Sequence, residues 1–343
     1  ITIFPSITGN TVSSDQVICE GTLFSNLTGT NPGGGASPSY TYQWMSSPDN
    51  SSWSSAAAPN SGMNYNPQDD SPGTAWYRRM VYSGLNNTCQ SVSNSVQLVA
   101  HPSITNNIIS AEQTICEGTA PATLNGTLPA NGAGPGTYTY QWMNSINGTA
   151  FLNIAGATTE DFPGTALTAS TWYRRVVTSS ACTSTSNDIK ITVDPRITGF
   201  AIGLPAQGHD TICTGTAPAQ LSGTPAGGLG AFTYAWASST DNVTFTGLSA
   251  TTPGYQPGNL TATTWFSRTV TSGACSENSV FRITVLPLIT GNTITANQTV
   301  CNTQSPAALS GSAPGGGDGI FRYLWESKAA SAPDWTNAPG AHT

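Results

Sequence analysis

Apolar and polar positions alternate with a period of two in short bursts along this chain, and no stretch sustains a helical period. In Tyr138-Thr139-Tyr140-Gln141-Trp142 the aromatics fall at every second position. A strand turns all three to one face and Thr139 and Gln141 to the other. Ile189-Lys190-Ile191-Thr192-Val193 alternates likewise, as does the run from Trp172 to Thr178. Turn formers separate these runs, among them Pro129-Ala130-Asn131-Gly132 and Pro225-Ala226-Gly227-Gly228. Short alternating strands at regular spacing predict an all-β sandwich, with about seven strands per unit.

The bursts recur as a long repeat. Tyr40-Thr41-Tyr42-Gln43-Trp44 returns at Tyr138 to Trp142, as Phe232-Thr233-Tyr234-Ala235-Trp236 and as Phe321-Arg322-Tyr323-Leu324-Trp325. Trp76-Tyr77-Arg78-Arg79 returns as Trp172-Tyr173-Arg174-Arg175 and, more loosely, as Trp265-Phe266-Ser267-Arg268. Cys19-Glu20-Gly21-Thr22 matches Cys116-Glu117-Gly118-Thr119 and Cys213-Thr214-Gly215-Thr216. Pro5, Pro102, Pro195 and Pro287 each stand two residues before an Ile-Thr pair, at spacings of 97, 93 and 92 residues. A unit of about 94 residues is the size of an immunoglobulin-like sandwich and too long for a solenoid repeat. The predicted organisation is the last strand of a preceding module over 1–5, immunoglobulin-like modules over 6–102, 103–195 and 196–287, and an incomplete module over 288–343. The missing strands predict that the polypeptide continues in both directions. One strand runs through Asp194-Pro195-Arg196 into the next with no linker. Proline stiffens such a junction, so the modules are expected to stack end to end as a semi-rigid rod.

Composition narrows the chemistry. Charged residues are 8% of the chain, against about 25% in ordinary soluble domains. The polar surface is therefore carried by 39 Ser, 50 Thr and 25 Asn. With ten Lys plus Arg, a net charge of −7 and no basic cluster, nucleic acid is excluded as a partner. No apolar run reaches the 18 residues a membrane helix needs. No nucleophile elbow, zinc-protease helix, phosphate loop or dinucleotide fingerprint occurs, and the reading is of a non-enzyme without cofactor or metal.

Seven cysteines are distributed two per complete module: Cys19 and Cys89, Cys116 and Cys182, Cys213 and Cys275, with Cys301 left over. The simplest pairing closes each module on itself, as Cys19–Cys89, Cys116–Cys182 and Cys213–Cys275. Zinc would want close Cys or His pairs, and His101, His209 and His342 stand at non-equivalent places. Disulfides imply an oxidising, extracellular compartment. The second cysteine follows the Trp-Tyr-Arg-Arg strand, so the bridge would tie an early strand to a late hairpin.

The combined pattern is Cys-x-Gly-Thr, Leu-x-Gly, Gly-Gly, Tyr-x-Tyr-x-Trp, Tyr-x-Pro-Gly-x-Leu, Thr-x-Trp-Tyr-Arg-Arg-x-Val-x-Ser, and a final Cys with Ile-Thr-Val-x-Pro. It resembles the immunoglobulin-like or PKD-like tandem repeats of very large Bacteroidetes surface proteins, which are commonly exported by type IX secretion and include gliding-motility-associated adhesins. The resemblance implies a cell-surface location and a structural or adhesive role, with partners among neighbouring modules or subunits, surface glycans or other cells. It also makes Asp210-Thr211-Ile212 a candidate O-glycosylation triplet at Thr211.

Three other features invite a functional reading beside a structural one. The Trp-Tyr-Arg-Arg strands could form a ligand surface, or one aromatic could pack in the core while an arginine stem covers its edge. Tyr138, Tyr140 and Trp142 could stack sugars or line a core, and the recurrent Trp44, Trp142, Trp236 and Trp325 are expected to be buried near the disulfides. Asp69-Asp70 and Glu160-Asp161 lie near equivalent turns, with Pro253-Gly254 there in the third unit, and could hold calcium, although no calcium-loop motif accompanies them. Eight Asn-x-Ser/Thr sequons, at Asn26, Asn50, Asn86, Asn125, Asn147, Asn242, Asn259 and Asn297, are about what chance gives at this composition. Two functions stay open: a spacer or adhesive array, and a carbohydrate-binding module set attached to a secreted enzyme.

Overall fold

A computed structural model describes residues 1–36 and 39–339; His342, and the alignment drawn through Gly340 to Thr343, fall outside it. The described chain is almost wholly β and divides into two compact units, Ile1–Val193 and Asp194–Thr343.

The first unit holds two copies of one sheet. In the first copy β1 (Gln16–Cys19), β2 (Tyr40–Ser47), β3 (Ser54–Ser55), β4 (Gly73–Ser83), β5 (Cys89–Val92) and β6 (Val96–His101) are ordered β1-β6-β4-β2-β3, with β5 also on β4. The first strand runs parallel to the last, Gln16 opposite Leu98 and Cys19 opposite His101, and the other pairings are antiparallel. The second copy repeats this with β7 (Gln113–Cys116), β8 (Thr139–Ser145), β9 (Leu152–Asn153), β10 (Thr171–Ser179), β11 (Cys182–Thr185) and β12 (Ile189–Asp194).

The second layer of each sandwich is held by single bridges such as Thr8 to Gly33, Val12 to Gly29 and Leu27 to Tyr65. About seven regular strands were expected; this layer falls short of regular strands because hydroxyls take ladder positions. Thr11 N donates to Thr30 Oγ1 at 3.0 Å and Thr28 N to Ser13 Oγ at 3.0 Å, so side chains compete with the backbone ladder.

In the second unit, β13 (Ile197–Thr198) pairs with β15 (Ala226–Gly227), and β14 (Thr211–Cys213), β16 (Thr233–Ser239), β17 (Thr246–Leu248), β18 (Thr264–Ser272) and β19 (Cys275–Leu286) form the sheet β14-β19-β18-β16-β17. Beyond it lie the bridges Thr290 to Gly315 and Ile294 to Gly311 and a hairpin, β20 (Glu326–Ser327) with β21 (Thr336–Asn337). Ile294, Leu324 and Trp335 are exposed there and Trp325 is half-buried.

Each module's core is a row of three rings. Trp44 stacks on Tyr65 with centroids 5.6 Å apart, and Tyr65 meets Tyr77 at 5.5 Å. Trp142, Phe162 and Tyr173 repeat the row at 5.7 Å and 5.7 Å, and Trp236, Tyr255 and Phe266 at 5.5 Å and 5.7 Å. The buried indole nitrogens donate to Gly62 O, Thr159 O and Thr252 O, which removes the penalty of an unpaired N–H. Trp44, Trp142 and Trp236 are buried as expected. The disulfide, however, sits in a separate cluster with Ile104, Val177, Tyr138 and Tyr140, and Trp142 belongs to the main core instead.

Candidate functional site

The disulfide geometry is set by the parallel first strand. Cys19 ends β1 opposite His101, the last residue of β6, whereas Cys89 opens β5 at the far end of the same sheet. On the shared strand β4, Gly73 pairs with Ala100 and Ser83 with Cys89, so ten residues of extended chain, about 33 Å, separate the two ends. A disulfide needs Cα atoms about 4.4–6.8 Å apart. The expected closure of each module on itself is therefore not formed: Cys19 joins Cys182, 163 residues on, with Cα atoms 4.9 Å apart.

Cys182 opens β11, opposite Ser179, at the end of the second module that faces the first. Its Sγ lies 3.7 Å from His101 O and 3.5 Å from Pro102 O, the residues where one module passes into the next. The disulfide is a staple across a module junction. Cys275 occupies the same niche in the third module, opposite Ser272, with Sγ 3.6 Å from Asp194 O and 3.2 Å from Pro195 O. Cys116 and Cys275 are disulfide-bonded, while Cys89, Cys213 and Cys301 are free thiols. Among the described residues no group of three or more His, Cys, Asp or Glu side chains is placed to hold a metal.

The second recurring site surrounds an arginine. The strand parity read from Trp172-Tyr173-Arg174-Arg175 holds: Tyr173 and Arg175 point inward and are buried, Trp172 and Arg174 outward. Arg174 makes a two-pronged contact with Asp188, both bonds at 2.8 Å, and lies 3.5 Å over the Phe151 ring. The inner arginine is no edge-covering stem, because Arg79, Arg175 and Arg268 have no exposed surface. Arg175 donates to Asn107 Oδ1 from Nε (3.1 Å) and Nη2 (2.9 Å), to Glu160 O (2.8 Å) and to Thr127 O (2.7 Å). The Tyr140 ring covers its other side at 5.1 Å. Arg79 repeats the set with Asn10 Oδ1, Met63 O and Thr30 O, under Tyr42.

Among the described residues no carboxylate contacts these guanidinium groups; neutral oxygens from separate segments accept their hydrogen bonds. Burial pulls each below its ordinary pKa, opposed at Arg175 by Tyr140 first and then by Glu160 and Asp161. The Leu-x-Gly motif has its cause here. A Cβ on Gly29 or Gly126 would lie 1.8 Å from the arginine Nη1, so only glycine lets the guanidinium through. The aromatics proposed as a sugar platform are thus absorbed: Trp142 in the core, Tyr140 against Arg175, and Tyr138 with its hydroxyl on Asn131 O at 2.8 Å.

The acidic pairs are not equivalent. Glu160-Asp161 corresponds to Met63-Asn64, since Glu160 O and Met63 O receive the arginines and Asp161 and Asn64 accept Gly126 N and Gly29 N. Asp69 instead accepts Ser71 N at 3.0 Å in a later turn. Thr211 is the exposed first residue of β14, its hydroxyl 3.2 Å from Asp210 Oδ1.

The family model described as Domain of unknown function (DUF8696) matches residues 8–102, 105–195 and 203–287. No curated protein matches the sequence. Among solved structures, an I-band fragment from titin aligns over 83% of this chain and 99% of its own, at 9% identity and a TM-score of 0.47. The three N-terminal domains of the bacteriophage RB49 Hoc capsid protein align over 80% and 98%, at 14% identity and 0.35. Drosophila OTK extracellular domains 3–5 align over 81% and 97%, at 12% identity and 0.32.

Proposed function

We propose, from the premise that this chain belongs to the family described as Domain of unknown function (DUF8696), that it is a non-enzymatic extracellular array: a segment of a surface adhesin or filament stalk whose modules, over 6–102, 103–195 and 196–287, serve as spacers. The observation that carries the reading is the Cys19–Cys182 bond across a junction that has no linker. Such a bond restrains how one module sits on the next, which a spacer requires and a solitary binding domain does not. Disulfides persist in oxidising compartments, which favours export. The repeat motifs support a Bacteroidetes surface protein of the type IX-secreted, gliding-associated kind, and Thr211 is exposed as a glycosylation acceptor must be.

The alternative, a carbohydrate-binding array beside a secreted enzyme, loses its platform because Tyr140 and Trp142 are engaged inside the second module, as Tyr42 and Trp44 are inside the first. A glycan array probed with the full chain tests the choice: no binding is expected, and saturable binding to one glycan class would replace the spacer reading. Protease shaving of intact producing cells should release peptides of this chain. Their appearance only after lysis would refute the surface location.

A further inference from the structure

The staple at Cys19–Cys182 has a donor half and an acceptor half, and each half recurs unfilled. The donor half is the last residue of a first strand lying parallel to the end of the last strand. Cys19 stands there opposite His101, and Cys213 stands there opposite Leu286. The acceptor half is the first residue after the hairpin, opposite a buried serine. Cys182 stands there opposite Ser179, and Cys89 opposite Ser83. Cys213 is an exposed thiol and Cys89 a half-buried one.

The surroundings of Cys89 mark it as an open version of the same niche. Around Cys182 the apolar cluster of Ile104, Val177, Tyr138 and Tyr140 is closed by Cys19 from the module before. Next to Cys89 an open groove runs past Phe4, Tyr82, Leu85 and Thr88, and Phe4 and Leu85 are exposed. Next to Cys213 a second groove is lined by Thr214, Leu286 and Leu288. Each groove is partly apolar and lies beside a thiol, and the second also takes Thr290 and Gly316 from the module that follows.

We propose that Cys213 and Cys89 are the two complementary halves of a continuing staple, and that the occupant of each is another module of this same family. Cys89 takes the strand-end cysteine of a module stacked before it, and Cys213 takes the hairpin cysteine of a module stacked after it. The inference deepens the array reading and rests on it. Formation of each bond is a two-electron oxidation: two thiols lose two protons and two electrons, one S–S bond forms, and a disulfide oxidant such as oxidised glutathione is reduced to two thiols. The partner module is one of the same polypeptide, because the Cys19–Cys182 bond joins successive modules of one chain.

The test uses native protein alkylated with iodoacetamide before lysis and digested without reduction. Cys89 should be recovered linked to a peptide of the Cys-x-Gly-Thr type, and Cys213 linked to a hairpin-cysteine peptide. Carbamidomethylated Cys89 and Cys213, or recovery of Cys19 with Cys89, overturns the proposal. Denaturing electrophoresis with and without reductant then names the source. A chain mass unchanged by reduction is expected, and a fall in mass, which places the partner in a second copy, overturns the proposal. In the full chain refolded with oxidised and reduced glutathione, Cys89→Ser should leave Cys19–Cys182 intact, and loss of that bond counts against separate half-sites. Glycan and shaving results bear on the adhesive role alone, so the two readings fail separately.

Discussion

At Phe200 one side chain shows what the arginine site depends on. The first two modules place Asn10 and Asn107 beside the buried guanidinium, and each accepts the arginine Nε–H. The third module has Phe200 at the matching place, two residues before Ile202 as Asn107 is before Ile109. Arg268 there donates to Gly223 O, Pro253 O and Phe200 O, and its Nε has no acceptor among the described residues. A buried donor left unpaired costs about 1–3 kcal/mol. Phe200→Asn should therefore stabilise the third module by about 1–2 kcal/mol, read as slower hydrogen exchange in Thr264–Ser272, and no change there would show that water already serves the Nε. Gly126→Ala should destabilise the second module by about 3 kcal/mol through overpacking, because the new methyl meets Arg175 Nη1 at 1.8 Å and Glu160 O at 2.9 Å. In a urea titration that compares the two variants, Gly247→Ala, with open space around it, should leave stability unchanged.

The strands were largely legible in the sequence, because a period of two needs only local spacing, and Tyr173 and Arg175 fall on the inner face as their parity demands. The acceptors of Arg175 were not legible: they are carbonyls of Thr127 and Glu160 and an amide on Asn107, and carbonyls carry no residue signature. The disulfide was misread for a similar reason. Counting two cysteines per module says nothing of the end at which each lies, and the parallel pairing of β1 with β6 decides that. Turns between strands hold a further local rule. After β2, β8 and β16 a serine hydroxyl meets the side chain of Asp49, Asn147 or Asp241, and that side chain caps the next amides. The Ser239 hydroxyl first, then the Val243 and Thr244 amides, hold Asp241 down to about 2 from 3.8. A folded pKa that is depressed means the turn is fully stabilised above the unfolded value and loosens as pH falls through the folded one. Between pH 4 and pH 2 the Val243 and Thr244 amide resonances should shift with Asp241 protonation, and Asp49 moves its turn in the same direction. Those of Thr149 and Ala150, capped by uncharged Asn147, should stay put. Equal behaviour of all three turns would contradict the assignment.

Across the whole molecule the staple changes what tension can do. A bond within one module would lock only the residues of that module, 70 of them for Cys19 to Cys89. The bond that forms spans 163 residues and shunts force from the first strand of one module to the last hairpin of the next. Load entering at Ile1 reaches Cys19 and crosses to Cys182, so both aromatic cores between them, Trp44 with Tyr65 and Trp142 with Phe162, lie off the force path. The expected consequence is a limit on extension. An extended residue spans at most about 3.6 Å, so the locked segment withholds roughly 590 Å of contour length. Pulling the Cys116→Ser, Cys275→Ser double variant of the full chain by its ends isolates this bond. In oxidising buffer the fully unfolded trace should fall short of the trace in dithiothreitol by roughly 590 Å. A deficit of roughly 250 Å, matching a Cys19–Cys89 loop, would restore the within-module pairing and remove the mechanical argument for a stapled stalk. The same variant should keep the Cys19–Cys182 shortfall when the buffer is exchanged back to oxidising conditions after refolding, since β1, β6 and the Pro102 junction return the two sulfurs to contact.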